Sequence, residues 1–272
     1  MFLAKCAKLS SKHAVPDWLA TIILGLVEGI TEFLPVSSTG HILLVDRLLG
    51  RHSPDIFVTV IQCGAVLAVL MVFWSRLQQL GREWRNPASQ QYLLKLALAF
   101  IITGIGGLIL KKLNFKLPDN PAPVAWATLI GGVIILLVER SLRGKPLSDD
   151  ISWPIAICVG LAQLLAAVFP GTSRSGATIL TALAFGCARP RATEFSFLLG
   201  VPTLLSAGAL QLYSAHRKGE SIDWSMVLLG VLVSAITAFG TVKWLLRFVQ
   251  THTFEAFGWY RVVLGAVILL LR

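Results

Sequence analysis

The sequence predicts an all-α polytopic membrane protein: an interdigitated inverted-topology repeat with two re-entrant helix-loop-helix hairpins and about six transmembrane helices. Apolar residues make up 55% of its 272 residues and charged residues 14%, where about 25% is usual in soluble domains. So few charges could not cover a soluble protein of this size, and the composition also excludes a disordered chain. Long apolar runs recur, and two of them are broken by Pro, Gly and Ser at corresponding places.

The apolar runs define the predicted spans in chain order. Five runs reach the roughly 17–25 residues that a spanning helix needs, and the last run does so if it extends back to Phe254. We assign residues 1–17 to a basic N-terminal tail and residues 18–272 to a single membrane domain with repeat halves at about 18–143 and 153–272. The runs lie near 56–74, 92–110, 122–138, 195–213, 225–246 and 257–271.

Two further pairs of apolar segments are predicted to enter the bilayer and turn back. Each pair has a longer arm, a polar break and an arm too short to span, at 18–34 with 42–49 and at 153–169 with 176–186. Three spans after each pair give the halves opposite orientations, so the two breaks enter from opposite faces and meet within the bilayer. An offset of 135 residues matches Gly25 with Gly160, Glu28 with Gln163, Pro35 with Pro170, Ser37 with Thr172, and Ser38 with Ser173.

Two carboxylates lie inside the first apolar run. Glu28 and Glu32 are four residues apart and project from one face of a helix. An ionised carboxylate inside a bilayer costs about 2.5 kcal/mol or more, so a divalent cation, an arginine or a shared proton must compensate the pair. A structural pair bonded to neighbouring helices is the alternative. Because Mg²⁺ binds carboxylate oxygens together with substrate phosphate, the pair is a candidate metal site.

The first break follows the carboxylates directly. Hydroxyl groups and free backbone amides before a helix N-terminus form an anion-binding nest. His41 lies three residues beyond Ser38, within reach in a helical turn, and could act as general base, general acid or nucleophile. A satisfied interior histidine is the alternative reading. The residues concerned are Ser37, Ser38, Thr39, Gly40 and His41.

The second break carries a solitary cation. Arg174 is the one charged residue between Asp150 and Arg189, so its guanidinium needs an anion or a carboxylate, and its fork suits phosphate oxygens. Pairing with Glu28 or Glu32 alone is the alternative. Together the breaks supply the charge neutralisation, nucleophile and proton route of phosphoryl transfer, and the apolar fold indicates a lipid-tailed substrate. Lesser polar candidates here and elsewhere are Gln62, Ser173, Ser175 and Gly176.

The chain resembles the bacterial undecaprenyl-diphosphate phosphatases of the bacitracin-resistance type. The resemblance runs from about Trp18 to the C-terminus and rests on EGITEFLPVSSTGH (28–41), PGTSRSGAT (170–178), EFSFLLGVP (194–202) and VIQCGAVLAV (60–69). It implies hydrolysis of undecaprenyl diphosphate to the monophosphate and inorganic phosphate with a divalent cation, Mg²⁺ or Ca²⁺. It also implies recycling of the cell-wall lipid carrier, bacitracin resistance, and a multi-pass protein of the bacterial cytoplasmic (inner) membrane whose active site faces the periplasm.

The resemblance also implies residue roles. Glu28 and Glu32 would be the metal-associated acidic pair, and Ser38 the nucleophile with His41 relaying its proton; direct attack by His41 is the competing assignment. Arg174 would hold the diphosphate, and the other substrate-binding residues would be Ser37, Thr39, Gly40, Gln62, Ser173, Ser175 and Gly176. The chain departs from the family pattern at Cys63 and Gly200, and we expect neither to touch the catalytic residues.

Other function classes fit the sequence less well. A transporter or flippase for a phospholipid or an anion would also use inverted repeats and broken helices, but transport needs no nucleophile. A structural scaffold leaves no purpose for the buried charges. The basic residues are scattered between apolar runs as headgroup anchors, so no nucleic-acid partner is expected despite the net charge of +10. The expected partners are a polyprenyl diphosphate lipid and the bilayer, with a homodimer kept open.

Overall fold

The computed structural model describes residues 15–113 and 121–270, which form eleven helices. Within these ranges there is no β-strand, and a single bridge pairs Ser148 with Cys187. Most of the predicted tail, residues 1–14, lies outside the described residues. The helices are α1 (Asp17–Thr31), α2 (Ser38–Leu48), α3 (Asp55–Val72), α4 (Trp74–Arg82), α5 (Pro87–Lys112), α6 (Pro121–Leu142), α7 (Trp153–Val168), α8 (Arg174–Ala184), α9 (Arg189–Lys218), α10 (Trp224–Phe248) and α11 (Glu255–Leu270).

Five helices of the described chain are long and apolar enough to cross a membrane: α3, α5, α6, α9 and α10. The prediction of an all-α polytopic membrane protein is confirmed. The sixth predicted span corresponds to α11, which has 16 residues and falls below that length. The short helix α4 lies between two apolar runs, where the sequence predicted no element; it buries Leu80 and exposes Trp74.

The two predicted hairpins are present, and they start at opposite ends of the bundle. Their longer arms, α1 and α7, have 15 and 16 residues, about 22–24 Å, which is less than the roughly 30 Å of a bilayer core. At the start of α1, Asp17 pairs with Arg51 in the loop before α3. At the start of α7, Trp153 packs against Lys95, near the beginning of α5 and therefore beyond the other end of α3.

The halves are interdigitated, because each longer arm packs against a helix of the other half. The first arm, α1, contacts α10, and the second, α7, contacts α5, while α6 pairs with α11 and α3 with α9. Small residues allow both close approaches. A Cβ at Gly25 would lie 3.0 Å from the carbonyl oxygen of Gly230, and one at Gly160 would lie 2.8 Å from that of Ala99.

Each short arm begins with the same backbone device. Ser37 and Ser173 are the N-caps of α2 and α8, with φ of 73° and 68°, and their hydroxyls accept hydrogen bonds from Gly40 and Gly176. Non-glycine residues at such φ values cost on the order of 1–3 kcal/mol and persist where the surroundings hold them. The predicted match of Ser37 with Thr172 is therefore wrong by one residue, because the second loop contains one more residue than the first.

Candidate active site

The two breaks meet at the centre of the bundle. The hydroxyl of Ser175, at the start of α8, lies 2.9 Å from the carbonyl oxygen of Leu34 and 3.2 Å from that of Glu32, and donates to this pair. Ser175 is fully buried. The N-terminus of α8 is thereby fastened to the end of the first loop, which brings the acidic and the cationic hairpin into direct contact.

Glu32 connects the first hairpin to the second through its two carboxylate oxygens. The Ser38 hydroxyl donates to Oε2 over 2.8 Å, and Nη2 of Arg174 donates to Oε1 over 3.2 Å. Glu32 is 7% exposed, and the Arg174 side chain 12%. A hydroxyl, a carboxylate and a guanidinium are therefore in contact in a low-dielectric interior, where hydrogen bonds to charged groups are strong.

The Arg174 guanidinium is held without using all of its donors. Its Cζ lies 5.2 Å from the centre of the Phe33 ring, and Nη1 donates to the carbonyl of Ser196 over 3.4 Å. Its Nε is buried and has no acceptor among the described residues. The expectation that Gly200 stands apart from the catalytic residues is wrong: a Cβ there would lie 2.5 Å from Nη1 of Arg174, because α9 passes directly over the guanidinium.

Glu28 lies one helical turn before Glu32 and is completely buried. Neither of its carboxylate oxygens has a hydrogen-bond partner in the described part of the chain, and the same holds for the hydroxyl of Ser234 on α10. A Cβ at Gly29 would lie 2.5 Å from the carbonyl oxygen of Ser234, so α10 packs closely beside this carboxylate. A buried carboxylate without partners is unfavourable unless a proton or a cation compensates it.

His41 does not receive the Ser38 proton, contrary to the relay expected from the sequence. Its Nδ1 is 2.7 Å from the carbonyl oxygen of Ser37 and its Nε2 is 2.7 Å from the hydroxyl of Tyr260. A carbonyl oxygen only accepts, so Nδ1 carries the proton and Nε2 of the neutral ring accepts from Tyr260. The ring turns back to the N-cap one helical turn earlier, which leaves Glu32 as the acceptor for Ser38.

The remaining predicted residues divide between the loops and the periphery. Ser37 and Ser173 act as N-caps, and Gly40 and Gly176 donate their backbone N–H groups to them. Thr39 is exposed beside Ser38. Gln62 is half-buried on α3 and makes no hydrogen bond to a described residue, so the structure does not join it to Glu32, Ser38 and Arg174.

Two residues of α11 belong to this centre and were not predicted. Arg261 is 1% exposed and donates to carbonyls of both loops, and Tyr260 binds His41. The signal for Arg261 was available, because it is a lone cation inside the apolar run 257–271, the criterion that selected Arg174. Nothing in the sequence distinguishes Tyr260 from an aromatic residue at a membrane interface.

Fold and site together define a class: polytopic helical membrane proteins whose polar centre is built from two inverted hairpins. The chain belongs to the family described as "Bacitracin resistance protein BacA", which matches residues 21–267. It is 46% identical over 256 residues to a Rhizobium johnstonii protein named undecaprenyl-diphosphatase, with 93% of this chain and 96% of the relative covered. Relatives of the same name in Xylella fastidiosa and Xanthomonas euvesicatoria are 44% and 43% identical; both alignments cover 93% of this chain, and 98% and 97% of those proteins respectively.

Proposed function

We propose that this protein is an integral-membrane phosphatase that hydrolyses undecaprenyl diphosphate to undecaprenyl phosphate and inorganic phosphate. One observation carries the proposal: a single buried carboxylate, Glu32, accepts from the Ser38 hydroxyl on one oxygen and from Arg174 on the other. A nucleophile, its base and an anion-binding cation are thus already assembled. The shared name of the relatives supports the same activity.

The first step uses the Ser38–Glu32 pair. Ser38 Oγ attacks the terminal phosphorus while its proton passes to Glu32 Oε2, which already accepts that hydrogen bond. The new Oγ–P bond replaces the bridging P–O bond, whose electron pair leaves on the undecaprenyl phosphate. The free N–H groups of Arg174 stabilise the negative charge on the phosphoryl oxygens.

The second step returns the enzyme to its starting state. Water attacks the phosphorus of phosphoserine at position 38, the Oγ–P bond breaks, and Ser38 regains a proton as the water proton enters the carboxylate pool at Glu32. The products are inorganic phosphate and the free serine. His41 takes no part in the Ser38 proton transfer, because both of its ring nitrogens bond elsewhere.

A divalent cation, Mg²⁺ or Ca²⁺, is part of the proposal. The unpartnered, buried oxygens of Glu28 fit a hard cation, and Glu28 and Glu32 would hold it. In the part of the chain that the structure describes, no third His, Cys, Asp or Glu joins the pair, which suits an ion that completes its coordination with phosphate and water. When bound, the ion would supply neutralisation of charge on the phosphate oxygens.

The proposed location is the cytoplasmic (inner) membrane of a bacterium, with the site open to the periplasm and the product returning to the cell-wall lipid-carrier pool. Its support is the motif resemblance at 28–41 and 170–178. Intact spheroplasts should then release phosphate from externally added farnesyl diphosphate. Release only after the membrane is permeabilised would place the site on the other face.

The decisive experiment is phosphate release from farnesyl diphosphate and undecaprenyl diphosphate by purified protein. We expect release with Mg²⁺ or Ca²⁺, loss with a chelator, and recovery when excess metal is restored. Arg174→Ala should be inactive although it elutes as a folded protein. Wild-type turnover in this variant would contradict the proposed site.

A transport function is separated by the same preparation in proteoliposomes. The comparisons favour the phosphatase over a transporter or flippase. Movement of a labelled prenyl diphosphate across the bilayer without phosphate release would favour transport. Phosphate release with no requirement for movement would favour the enzyme.

A further inference from the structure

We infer that Arg261 is a positioning residue that sets the geometry of both hairpin loops at once, and this inference rests on the proposed phosphatase function. Arg261 lies on α11 and is 1% exposed. It is a charged side chain in an otherwise apolar helix, in the interior of a membrane protein. Such residues are rare and mark functional centres.

All five N–H groups of the Arg261 guanidinium are committed to backbone carbonyl oxygens. Two of the acceptors lie on α6, one in the first loop and two in the second. The acceptors are Thr128 at 3.1 Å and Ala127 at 3.1 Å, Pro35 at 3.3 Å, and Thr172 at 2.9 Å and Gly171 at 3.0 Å. Arginine has five donors, so none is left for a substrate.

The carbonyls that Arg261 binds lie immediately before the reacting residues. Pro35 precedes the strained N-cap Ser37 by two residues, and Ser38 follows it. Thr172 adjoins the second strained N-cap, which Arg174 follows. One planar group therefore fixes both loops relative to each other and to α6, and so sets the separation of the nucleophile from the cation.

The surroundings are shaped to the guanidinium. A Cβ at Gly131 would lie 2.1 Å from Nη2 of Arg261, and one at Gly132 would lie 2.9 Å from Cβ of Arg261. On the other side, a Cβ at Gly176 would lie 3.2 Å from Nη1. Only glycine at position 131 leaves room for the side chain to reach the loops.

The two buried arginines of the centre have different tasks. Arg174 uses two of its five N–H groups, one to Glu32 and one to a carbonyl, and keeps donors for a phosphate. Arg261 uses all five for the protein itself, and none of its acceptors is a carboxylate. The loss of Arg261 geometry should therefore affect turnover more than substrate affinity.

The test compares Arg261→Lys and Gly131→Ala with the wild type in purified form. Lysine keeps the charge but cannot reproduce the planar fork, and the alanine displaces the guanidinium without changing it. We expect kcat for farnesyl diphosphate to fall about 100-fold, the scale of a 1 Å misplacement, while KM changes less than about threefold. Gly240→Ala, whose added methyl meets nothing within 4 Å, is the matched control and should behave as wild type.

Amide hydrogen exchange provides a readout that does not depend on activity. In both variants, peptides covering 33–41 and 169–177 should exchange faster together, while those from α10 keep the wild-type rate. Unchanged exchange in both loops, a change in one loop alone, or kcat within threefold of wild type in both variants would overturn the inference. If Arg261→Lys does not fold, Gly131→Ala decides. A wild type that releases no phosphate would defeat the proposed function but leave the exchange result valid.

Discussion

The first hairpin, α1 with α2, and the second, α7 with α8, share one backbone and differ in almost every functional side chain. Both start their short arm at a serine N-cap with positive φ, and both fit a long arm against a helix of the other half. In long-arm register, Glu28 corresponds to Gln163 and Glu32 to Ala167; after the caps, Ser38 corresponds to Arg174 and His41 to Ala177. The fold repeats, whereas the chemistry is divided.

The difference shows how a repeat becomes an active site. A symmetric copy of the first hairpin would place four carboxylates at the centre, with a large desolvation and repulsion cost. In the second hairpin an amide replaces Glu28: Gln163 donates to Thr103 over 3.0 Å. Arg174 occupies the place of Ser38 and supplies the opposite charge. One hairpin provides nucleophile and base, and the other provides the cation.

The largest expected effect is on the nucleophile. Ser38→Ala should reduce phosphate release at least about 1000-fold, because nothing else in the site replaces the attacking oxygen. Ser173→Ala removes only an N-cap bond, so it should lower the free energy of unfolding by about 1 kcal/mol and leave turnover within tenfold of wild type. Both are measured by phosphate release and thermal unfolding in detergent. A folded Ser173→Ala protein as inactive as Ser38→Ala would show that the second hairpin shares the chemistry.

The reciprocal exchange of Glu28 and Gln163 tests the charge asymmetry. Gln163→Glu places an extra carboxylate in the interior and should destabilise the protein by about 3 kcal/mol. Glu28→Gln removes an unpartnered carboxylate, so the unfolding temperature should hold or rise while turnover and its metal requirement are lost. Thermal unfolding with and without Mg²⁺ measures both. A marked loss of stability in Glu28→Gln would mean that Glu28 is a structural bonding partner.

The smallest effect should come from Tyr260, whose partner His41 has no counterpart in the second hairpin. Tyr260→Phe removes one hydrogen bond to Nε2 of His41, worth about 1 kcal/mol, so turnover should fall about fivefold. Tyr213→Phe is the control, since Tyr213 is exposed on α9 and distant from the site. A loss beyond about 100-fold in Tyr260→Phe would return His41 to the reaction itself.

The parts of this fold that sequence can predict are those set by length, polarity and charge. The spans follow from apolar runs, and the hairpins follow from arms too short to cross. The contact of Glu32 with Arg174 was foreseeable, because lone charges of opposite sign in apolar segments require partners. The same rule, applied to the run 257–271, would have selected Arg261.

Other features depend on contacts between distant segments and have no local signature. The partner of the Ser38 hydroxyl is decided by how the first loop turns, and the composition of that loop suited His41 equally well. Gly200 meets Arg174 only because α9 crosses α8. The acceptors of Arg261 are backbone carbonyls from three segments, and a carbonyl carries no residue-type signal.

The pairing of α1 with α10 also has a consequence for biosynthesis. At about 5–20 residues per second, a ribosome completes α10 roughly 10–40 s after α1. During that interval the nascent acidic hairpin lacks the helix that seals it, while its carboxylates are in or near the lipid. Assembly of the catalytic centre is therefore a late event, completed only when the final helices arrive and lock both loops.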